Sequence, residues 1–156
     1  MHNGKLLNQL TNKNVIYDFR RNDIMNGGQG APLVPVGEKY LFREYDSFIN
    51  LGGFANISKY ENNKLIAYDI CPVNIVLNNL SKKIGKDYDD KGSIALSGKT
   101  IIDLSKELDK LEYYKSVHPK SLGIEWVDKN LIPLINKFID HPIENLLNTF
   151  SNHIAN

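Results

Sequence analysis

The feature that most constrains this chain is a block, residues 47–85, in which three strand-like segments are followed at once by an amphipathic helix. Turn signals separate the segments, because glycine and asparagine both accept the backbone angles of tight turns. The pattern predicts three consecutive antiparallel strands. In chain order, the segments and their turns are 48–51, Gly52-Gly53, 54–60, Asn62-Asn63 and 65–70.

A helix is predicted directly after the third strand, because Pro72 suits the first helical position and apolar residues then recur at helical spacing. Lysines and Gly85 end the segment in the way that helices commonly end. A strand block that leads into helices is the basis of the α/β architecture expected for this chain. The apolar helix positions are Val73, Val76, Leu77, Leu80 and Ile84.

Shorter segments on both sides of the block carry less regular patterns. Before it, we expect a helix, a buried strand, a polar loop and a second helix, at 4–10, 15–19, 20–30 and 33–42 respectively. After it, helices are expected at 101–111, at 125–138 with a kink or restart at Pro133, and from Asp140 onward with Pro142 in the first turn.

The last predicted helix carries an apolar stripe that continues almost to residue 156. An amphipathic helix is stable only when its apolar side is covered. We therefore expect either a second subunit, as in a homodimer, or the remainder of a longer protein to pack against the stripe. Its members are Ile143, Leu146, Leu147, Phe150 and Ile154.

Composition excludes several broad classes of protein. The 156 residues include 19 basic and 18 acidic side chains, so the charge offers no general attraction to nucleic acid or to an anionic membrane. No apolar run approaches the ~20 residues of a membrane-spanning helix, and a secretory signal pattern is absent. The single Cys71 forms no internal disulfide. A cytoplasmic location without nucleic-acid or membrane partners is expected.

Two positions within the block are candidates for chemistry. Gly52-Gly53 lets a ligand such as phosphate approach backbone N–H groups, although a diglycine that only makes a hairpin explains the same pattern. Asp69 lies at the carboxyl end of the third strand, beside a helix N-terminus whose free N–H groups favour an anion. There it acts either as a general base or only as a cap for the following turn.

Two loops outside the block also carry suitable side chains. In the run 18–23, guanidinium groups suit carboxylate or phosphate and aspartates suit sugar hydroxyls, while local ion pairs in a solvated loop are the alternative. Lys120-Ser121 suits an anion, and a loop before a helix explains it equally well. No metal site is expected, because the four histidines lack ligand spacing with Cys71 or with one another.

Taken together, these motifs resemble the anhydro-N-acetylmuramic acid kinase family of bacterial cell-wall recycling, within the sugar kinase, Hsp70 and actin superfamily. Asp18-Phe19-Arg20 with Asp23, followed by GGQGAPLVP at 27–35, is similar to a long family signature. The heptapeptide NLGGFAN at 50–56 is similar to the family's phosphate loop, NIGGIAN. Further similar positions are 88–92, Ala95, Ser97, Gly98, 119–121, Gly123 and Glu125.

The resemblance implies a fold of two ribonuclease-H-like lobes around a cleft, with residues 1–30 ending the first lobe and 31–156 beginning the second. It also implies a sugar kinase that uses ATP and Mg²⁺, opens 1,6-anhydro-N-acetylmuramic acid with water and phosphorylates the freed O6. The roles implied for this chain are Asp69 as the base that activates water, Gly52, Gly53 and Asn56 at the ATP phosphates, and Arg20 and Asp23 at the sugar.

The sequence departs from the family pattern in two loops and at both ends. Residues 69–74 read DICPVN where the family commonly has DTGPGN, and 120–123 read KSLG instead of KSTG. The family's N-terminal GTSxDGxD loop and its glycine-rich C-terminal segment do not occur. Because phosphoryl transfer needs positioning from both sides of the γ-phosphate, we expect this middle part to have little activity alone.

Two other functions remain as alternatives. The first is a non-catalytic remnant of the kinase that binds a sugar or a partner subunit through the apolar side of its last helix. The second is a ribonuclease-H-like nuclease in which Asp18, Asp23 and Asp69 hold two metal ions. The balanced charge disfavours the nuclease, because it supplies no track for a phosphate backbone.

Overall fold

A three-stranded antiparallel sheet, in the order β1-β2-β3, carries most of the candidate residues. The computed structural model describes residues 3–28, 30, 34–62 and 64–156. The strands are β1 (Ser47–Leu51), β2 (Phe54–Glu61) and β3 (Lys64–Pro72). The three predicted strands are confirmed, and the chain is an α/β protein in which this sheet is followed by helices.

The turn between β2 and β3 is the predicted asparagine hairpin. Glu61 pairs with Lys64 across the turn, and Asn62 has a φ of 51°. Asparagine accepts this left-handed backbone more readily than most residues. The second turn residue, Asn63, lies outside the described residues, as do Gln29 and residues 31–33 of the motif at 27–35.

The chain divides into two units, Met1–Tyr45 and Asp46–Asn156. The first unit contains α1 (Gly4–Thr11), α2 (Phe19–Met25) and α3 (Pro35–Leu41). Helices α1 and α3 confirm the predicted helices at 4–10 and 33–42 over their described residues. The assignment of residues 1–30 and 31–156 to two lobes of a kinase remains a prediction.

The predicted strand at 15–19 is wrong, and the predicted polar loop at 20–30 is wrong over residues 20–25, which belong to α2. Residues 14–18 have no regular secondary structure, and α2 begins at Phe19. An apolar run becomes a strand only when a neighbouring strand pairs with its backbone. The described residues of the first unit contain no such neighbour, and Ile16 is exposed.

Helix α4 (Asn74–Lys82) begins later than the prediction placed it. Pro72 is the last residue of β3, where it pairs with Phe54, and is therefore not the first residue of the helix. Strand pairing thus continues up to the residue before the helix cap. The predicted apolar face is confirmed at Val76, which is fully buried, and Gly85 ends the helical segment with a φ of 74°.

The remainder of the second unit is helical, and one hydrophobic core joins these helices to α4. The elements are a 3₁₀ turn (Asp90–Gly92), α5 (Ser93–Ser97), α6 (Ile102–Asp109), α7 (Glu112–Lys115), α8 (Ile124–Trp126), a π-helical turn (Val127–Leu131), α9 (Ile132–Asn136) and α10 (Ile143–Ala155). In the described part of the chain, no helix has the length and apolarity needed to cross a membrane.

The interruption predicted at Pro133 is confirmed, and it takes the form of the π-helical turn. Here the Ile132 N–H bonds to the Val127 carbonyl, one residue farther back than in an α-helix. Proline lacks an N–H and crowds the preceding helical turn, so a wider turn ahead of it relieves the conflict. The helix then continues as α9.

The apolar stripe of α10 is covered by the chain itself, so the predicted need for a second subunit or further chain to cover it is wrong. Leu146 and Leu147 are fully buried and Phe150 is 1% exposed. Their neighbours in the core come from α4, α5, α6 and α9. The expectation failed because the pattern shows that a face must be covered but does not show by what.

Polar side chains of α10 also attach it, through hydrogen bonds, to the segment between α5 and α6. The Asn145 side chain accepts the Lys99 N–H at 2.8 Å, and the Thr149 hydroxyl accepts the Ile101 N–H at 2.8 Å. Gly98 lies directly against the backbone of Glu144, so a side chain there would collide with the start of α10. The segment before α6 is therefore tied to α10 along its length.

Replacing Leu147 tests whether the stripe is internal. We expect Leu147→Ala to lower the free energy of unfolding by about 2–5 kcal/mol, because it leaves a cavity in the core. Chemical denaturation measures the change. Leu96→Ala is the matched control, since Leu96 is 81% exposed and its loss should change stability by no more than about 0.5 kcal/mol. Equal effects of the two substitutions would contradict the burial of α10.

A buried histidine connects α10 to the end of α6. His153 is 7% exposed at its side chain, and its Nδ1 lies 3.2 Å from Oδ1 of Asp109. The Tyr114 ring packs against it with the centroids 5.0 Å apart. Burial lowers the pKa of His153, and the hydrogen bond to Asp109 opposes that effect only in part.

The lowered pKa of His153 predicts a loss of stability in mild acid. The unfolded chain takes up the proton near the ordinary histidine pKa of about 6.5, whereas the folded chain resists it to lower pH. The free energy of unfolding should therefore fall as the pH drops below about 6.5. Urea unfolding between pH 7.5 and 5 should show a flatter dependence for His153→Gln. His141→Gln, at an exposed position, should keep the wild-type slope.

Candidate functional site

A β-bulge in β3 determines the direction of Asp69. Ala55 pairs with Cys71 and Asn56 pairs with Asp69, so Ile70 is an extra residue on β3. In an unbroken strand, residues two apart share a face. The bulge instead places Asp69 and Cys71 on opposite faces of the sheet. Cys71 is consequently buried, while Asp69 remains half-buried.

Three hydrogen bonds attach Asp69 to the segment that follows α7. The Leu122 N–H donates to Oδ2 of Asp69 at 2.8 Å. The Asp69 N–H donates to the Lys120 carbonyl at 3.2 Å, and the Tyr113 hydroxyl donates to the Asp69 carbonyl at 2.6 Å. Both the side chain and the backbone of Asp69 are therefore held in place.

The same contacts show what the Asp69 carboxylate can do. One oxygen, Oδ2, holds the distant residue Leu122, and not the turn directly after β3 that the capping alternative named. Among the described residues, Leu122 is the one donor to this carboxylate, so Oδ1 can accept a proton from a ligand or water. A fixed, half-buried carboxylate with one oxygen available suits general base chemistry as well as loop attachment.

Tyr113 is a permanent donor in this arrangement. Burial raises its pKa, and the negative charge of Asp69 adds to the effect. The phenol therefore stays protonated and keeps its bond to the Asp69 carbonyl. The sequence pattern indicates only a packing role for Tyr113, because no local signal connects it to a residue 44 positions away.

The Gly52-Gly53 turn closes over the start of α4. The Gly53 carbonyl accepts N–H groups from Val73 at 2.8 Å and Ile75 at 3.3 Å, and the Gly52 carbonyl accepts the Asn74 N–H at 3.3 Å. The prediction of free N–H groups at this helix N-terminus is therefore wrong at these three residues. Turn carbonyls satisfy them, so the end of the helix itself is not open to an anion.

Neither glycine of the turn is required by the chain's own geometry. Gly52 and Gly53 both lack the positive φ that favours glycine. A Cβ on Gly53 would have no atom within 4 Å, and one on Gly52 would make only an ordinary contact, 3.5 Å from the Phe54 carbonyl. The backbone angles and surroundings of the turn therefore do not by themselves require glycine. They leave room for a ligand to approach the backbone closely.

Strand register assembles a row of polar side chains beside the turn. Asn50 pairs with Asn56 across β1 and β2, and Asn56 pairs with Asp69 across β2 and β3. Directly opposed residues share one face of a sheet, so the three side chains form a row on the same face. Asn50 was not among the predicted site residues, because only the observed register joins it to Asp69.

A cleft of about 450 Å³ lies next to Gly53, against α4. Three of its six lining residues are asparagines, and Lys82 is its one cation. The cleft provides amide donors and a positive charge next to Gly53. The lining residues are Gly53, Asn74, Ile75, Asn78, Asn79 and Lys82.

The predicted sugar residues Arg20 and Asp23 lie on α2 of the first unit. Arg20 is exposed. Oδ2 of Asp23 accepts the Gly30 N–H at 2.7 Å, and the carboxylate packs closely on Gly28. Asp23 therefore contacts two glycines of the motif, Gly28 and Gly30. Within either unit, the described residues include no group of three His, Cys, Asp or Glu side chains placed to hold a metal ion.

Comparison with known proteins identifies the family of this chain. A family model described as anhydro-N-acetylmuramic acid kinase matches residues 1–150. The chain belongs to this family. The resemblance carried by the motifs at 18–35 and 50–56 is thereby confirmed.

Curated anhydro-N-acetylmuramic acid kinases from several bacteria are similar to the chain. The protein from Pseudomonas fluorescens is 38% identical over 139 residues, which cover 83% of this chain and 38% of that protein. The Brucella anthropi protein is 40% identical over 126 residues, 76% of this chain and 34% of the relative. The Bacillus cereus protein is 33% identical over 155 residues, 94% of this chain and 41% of the relative. The chain thus spans about two-fifths of the length of these relatives.

Two of the departures from the pattern of the anhydro-N-acetylmuramic acid kinase family at 69–74 place side chains in a small buried cluster. Cys71 and Val73 stand where the family commonly has glycines, and both side chains are buried with Ala55. They fill space beneath the sheet. Burial also raises the pKa of the Cys71 thiol, which fits a packing residue and not a nucleophile.

Substitutions of Asp69 test its hydrogen bond with the Leu122 N–H. We expect Asp69→Ala to lower the free energy of unfolding by about 1–3 kcal/mol, because the Leu122 N–H loses its acceptor. Asp69→Asn retains an acceptor oxygen and should lose less. Denaturation curves and the Leu122 amide NMR signal measure both effects. Asp103→Ala, at an exposed aspartate, is the control, and an Asp69→Ala variant as stable as that control would contradict the contact.

Proposed function

We propose that this chain is part of an enzyme that opens 1,6-anhydro-N-acetylmuramic acid with water and phosphorylates O6 from ATP. The observation that carries the proposal is the Asp69 carboxylate, held through Oδ2 with Oδ1 available, three strand positions from an unhindered diglycine turn. Membership of the kinase family supports it. The relatives' printed names supply the acidic anhydro sugar as the substrate class.

The proposed step assigns one proton to Asp69. Oδ1 accepts a proton from water, the water oxygen bonds to the anomeric carbon, and the bond from that carbon to O6 breaks. The freed O6 takes the γ-phosphoryl group, and ADP leaves. A base that is already oriented by Leu122 and Tyr113 loses little free energy to reorganisation during the step.

The diglycine turn is the proposed contact for the ATP phosphates. Gly53 is exposed and its Cβ position is empty, so phosphate oxygens can approach the backbone closely. Lys82 and the amide side chains of the adjoining cleft supply charge and hydrogen bonds. Asn56 lies between the proposed base and the diglycine turn, since it pairs with Asp69 and belongs to the same motif as the glycines.

Magnesium is proposed to arrive with ATP. Mg²⁺ commonly keeps several waters and phosphate oxygens and needs only one or two protein carboxylates, so it requires no preformed acidic cluster. Bound to the phosphates, it neutralises charge that develops during transfer. Arg20 and Asp23 are proposed to contact the sugar, with Asp23 also binding the Gly30 N–H.

The remaining parts of the proposal concern the whole protein. We expect ribonuclease-H-like lobes, a cytoplasmic location and a role in cell-wall recycling. Because the chain spans about two-fifths of its relatives, turnover by this chain alone should be weak. The alternative is a non-catalytic remnant that binds the sugar. Measuring both sugar binding and turnover distinguishes the two functions, because the remnant would bind the sugar without turnover.

Measuring Mg-ATP binding tests whether the Gly52-Gly53 turn contacts the ATP phosphates. Gly53→Val should fold normally, because a side chain there meets open space, yet it should weaken Mg-ATP binding at least about tenfold by blocking close approach. Isothermal titration calorimetry measures the affinity. Gly37→Val is the matched control, because Gly37 also has open space around its Cβ position and an ordinary φ but lies on α3.

Two outcomes would contradict the proposed function. Equal Mg-ATP affinity of Gly53→Val and wild type would remove the turn from the nucleotide site. Turnover of the anhydro sugar that survives Asp69→Asn, in a coupled assay of ADP release, would remove Asp69 as the base. Turnover comparable to that of a full-length relative would contradict only the expectation of weak activity.

A further inference from the structure

We propose that His153 is a positioning residue for Asp69, which it holds through the short helix α7 while its imidazole is neutral and releases when the imidazole takes up a proton. The consequence for catalysis rests on the proposed function, whereas the coupling between the two residues does not. The inference gives a role to a buried histidine that the proposed step leaves unused.

His153 joins three helices of the second unit. It belongs to α10, and its Nδ1 lies 3.2 Å from Oδ1 of Asp109, the last residue of α6. Its ring meets the Tyr114 ring of α7 edge to face, with the centroids 5.0 Å apart. The His153 side chain is 7% exposed, whereas that of Asp109 is 65% exposed. The imidazole is therefore buried, and its acidic partner reaches the surface.

Helix α7 connects His153 to Asp69. The helix has only four residues, and so short a helix has little stability of its own. The Tyr113 hydroxyl donates to the Asp69 carbonyl at 2.6 Å, while Tyr114, the next residue, packs against His153. The two tyrosine rings also meet edge to face, with the centroids 5.9 Å apart. The position of α7 therefore depends on contacts with both β3 and α10.

Tyr114 is held by packing. Its hydroxyl is buried and has no hydrogen-bond partner among the residues that the structure describes. The ring packs against the buried cluster of Ala55, Cys71 and Val73 as well as against His153. Because no described hydrogen bond fixes the Tyr114 side chain, space opened by a movement of His153 leaves α7 free to shift.

Three titratable groups surround His153 and Tyr114, one on each neighbouring element. Burial raises the pKa of Tyr114 on α7 and of Cys71 on β3, so both groups stay neutral. In the described part of the chain, Asp109 on α6 is then the one charged group that acts on the pKa of His153. The charge on His153 is therefore set by burial and by this single carboxylate.

Protonation changes the position that His153 prefers. A buried cation is costly, whereas an imidazolium that moves outward keeps Asp109 as its partner in contact with water. Burial lowers the pKa of His153, so the buried position is lost as the pH falls below the ordinary value of about 6.5. The movement takes the ring away from Tyr114, and α7 then holds the Asp69 carbonyl less firmly.

NMR of the whole chain measures the coupling without ligand. Between about pH 7.5 and 5.5, the amide signals of Asp69 and Leu122 should shift with the same midpoint as the His153 ring signals. His153→Gln stays neutral and should abolish that shift. Asp109→Asn should move the midpoint to lower pH, because the carboxylate that favours the imidazolium is gone. A merely structural role of His153 would not move the midpoint.

Matched controls come from residues of the same types. Asp103→Asn changes an aspartate of the same helix whose side chain is 83% exposed, and it should leave the midpoint where it is. His118→Gln should also leave it unchanged, although His118 stacks on Tyr68 of β3 with the centroids 5.3 Å apart. The amide of Leu80, in the core on α4, should show no shift at this midpoint.

Several outcomes would overturn the inference. Amide signals of Asp69 and Leu122 that do not follow the His153 midpoint, or that still follow it in His153→Gln, would remove the coupling. An equal shift at Leu80 would show a change of the whole fold, and loss of the shift in His118→Gln would assign it to that residue. If His153→Gln does not fold, an unchanged midpoint in Asp109→Asn contradicts the inference instead. Turnover that survives Asp69→Asn would remove only the proposed function, because none of these signals depends on turnover.

Discussion

The attachment of β3 to the segment 113–122 is the interaction on which the rest of the candidate site depends. β3 is an edge strand, and its backbone at Asp69 is satisfied by the Lys120 carbonyl and the Tyr113 hydroxyl instead of by a further strand. The same contact brings the Leu122 N–H to the Asp69 carboxylate. One set of hydrogen bonds thus covers an exposed strand edge and orients the candidate base.

The second constraint is the diglycine turn, which has two separable functions. Its carbonyls satisfy the first N–H groups of α4, which stabilises the junction between sheet and helix. The Cβ position of Gly53 is open space, which leaves the backbone accessible there. An ordinary hairpin needs the first property but not the second. The position of the turn, beside the polar row from Asn50 to Asp69, is what connects it to the proposed chemistry.

Much of the second unit was predictable because its local patterns agree with its packing. Alternating apolar segments became β1, β2 and β3, and the helical spacing of Val76 placed α4 against the core. The first unit was less predictable, because the apolar run at 15–19 has no strand to pair with among the described residues. The covering of α10 was also missed, since its partners are helices far away in sequence.

By itself, the sequence determined the strand and helix block, the hairpin at Asn62, the interruption at Pro133 and the family. Each of these depends on residues that are close together in the chain or on a long ordered motif. Only the tertiary structure decided that Ile70 is a bulge, that Asp69 therefore faces away from the buried Cys71, and that Lys120 lies beside it. The physical reason is that strand register and long-range hydrogen bonds join residues whose separation in sequence carries no periodic signal.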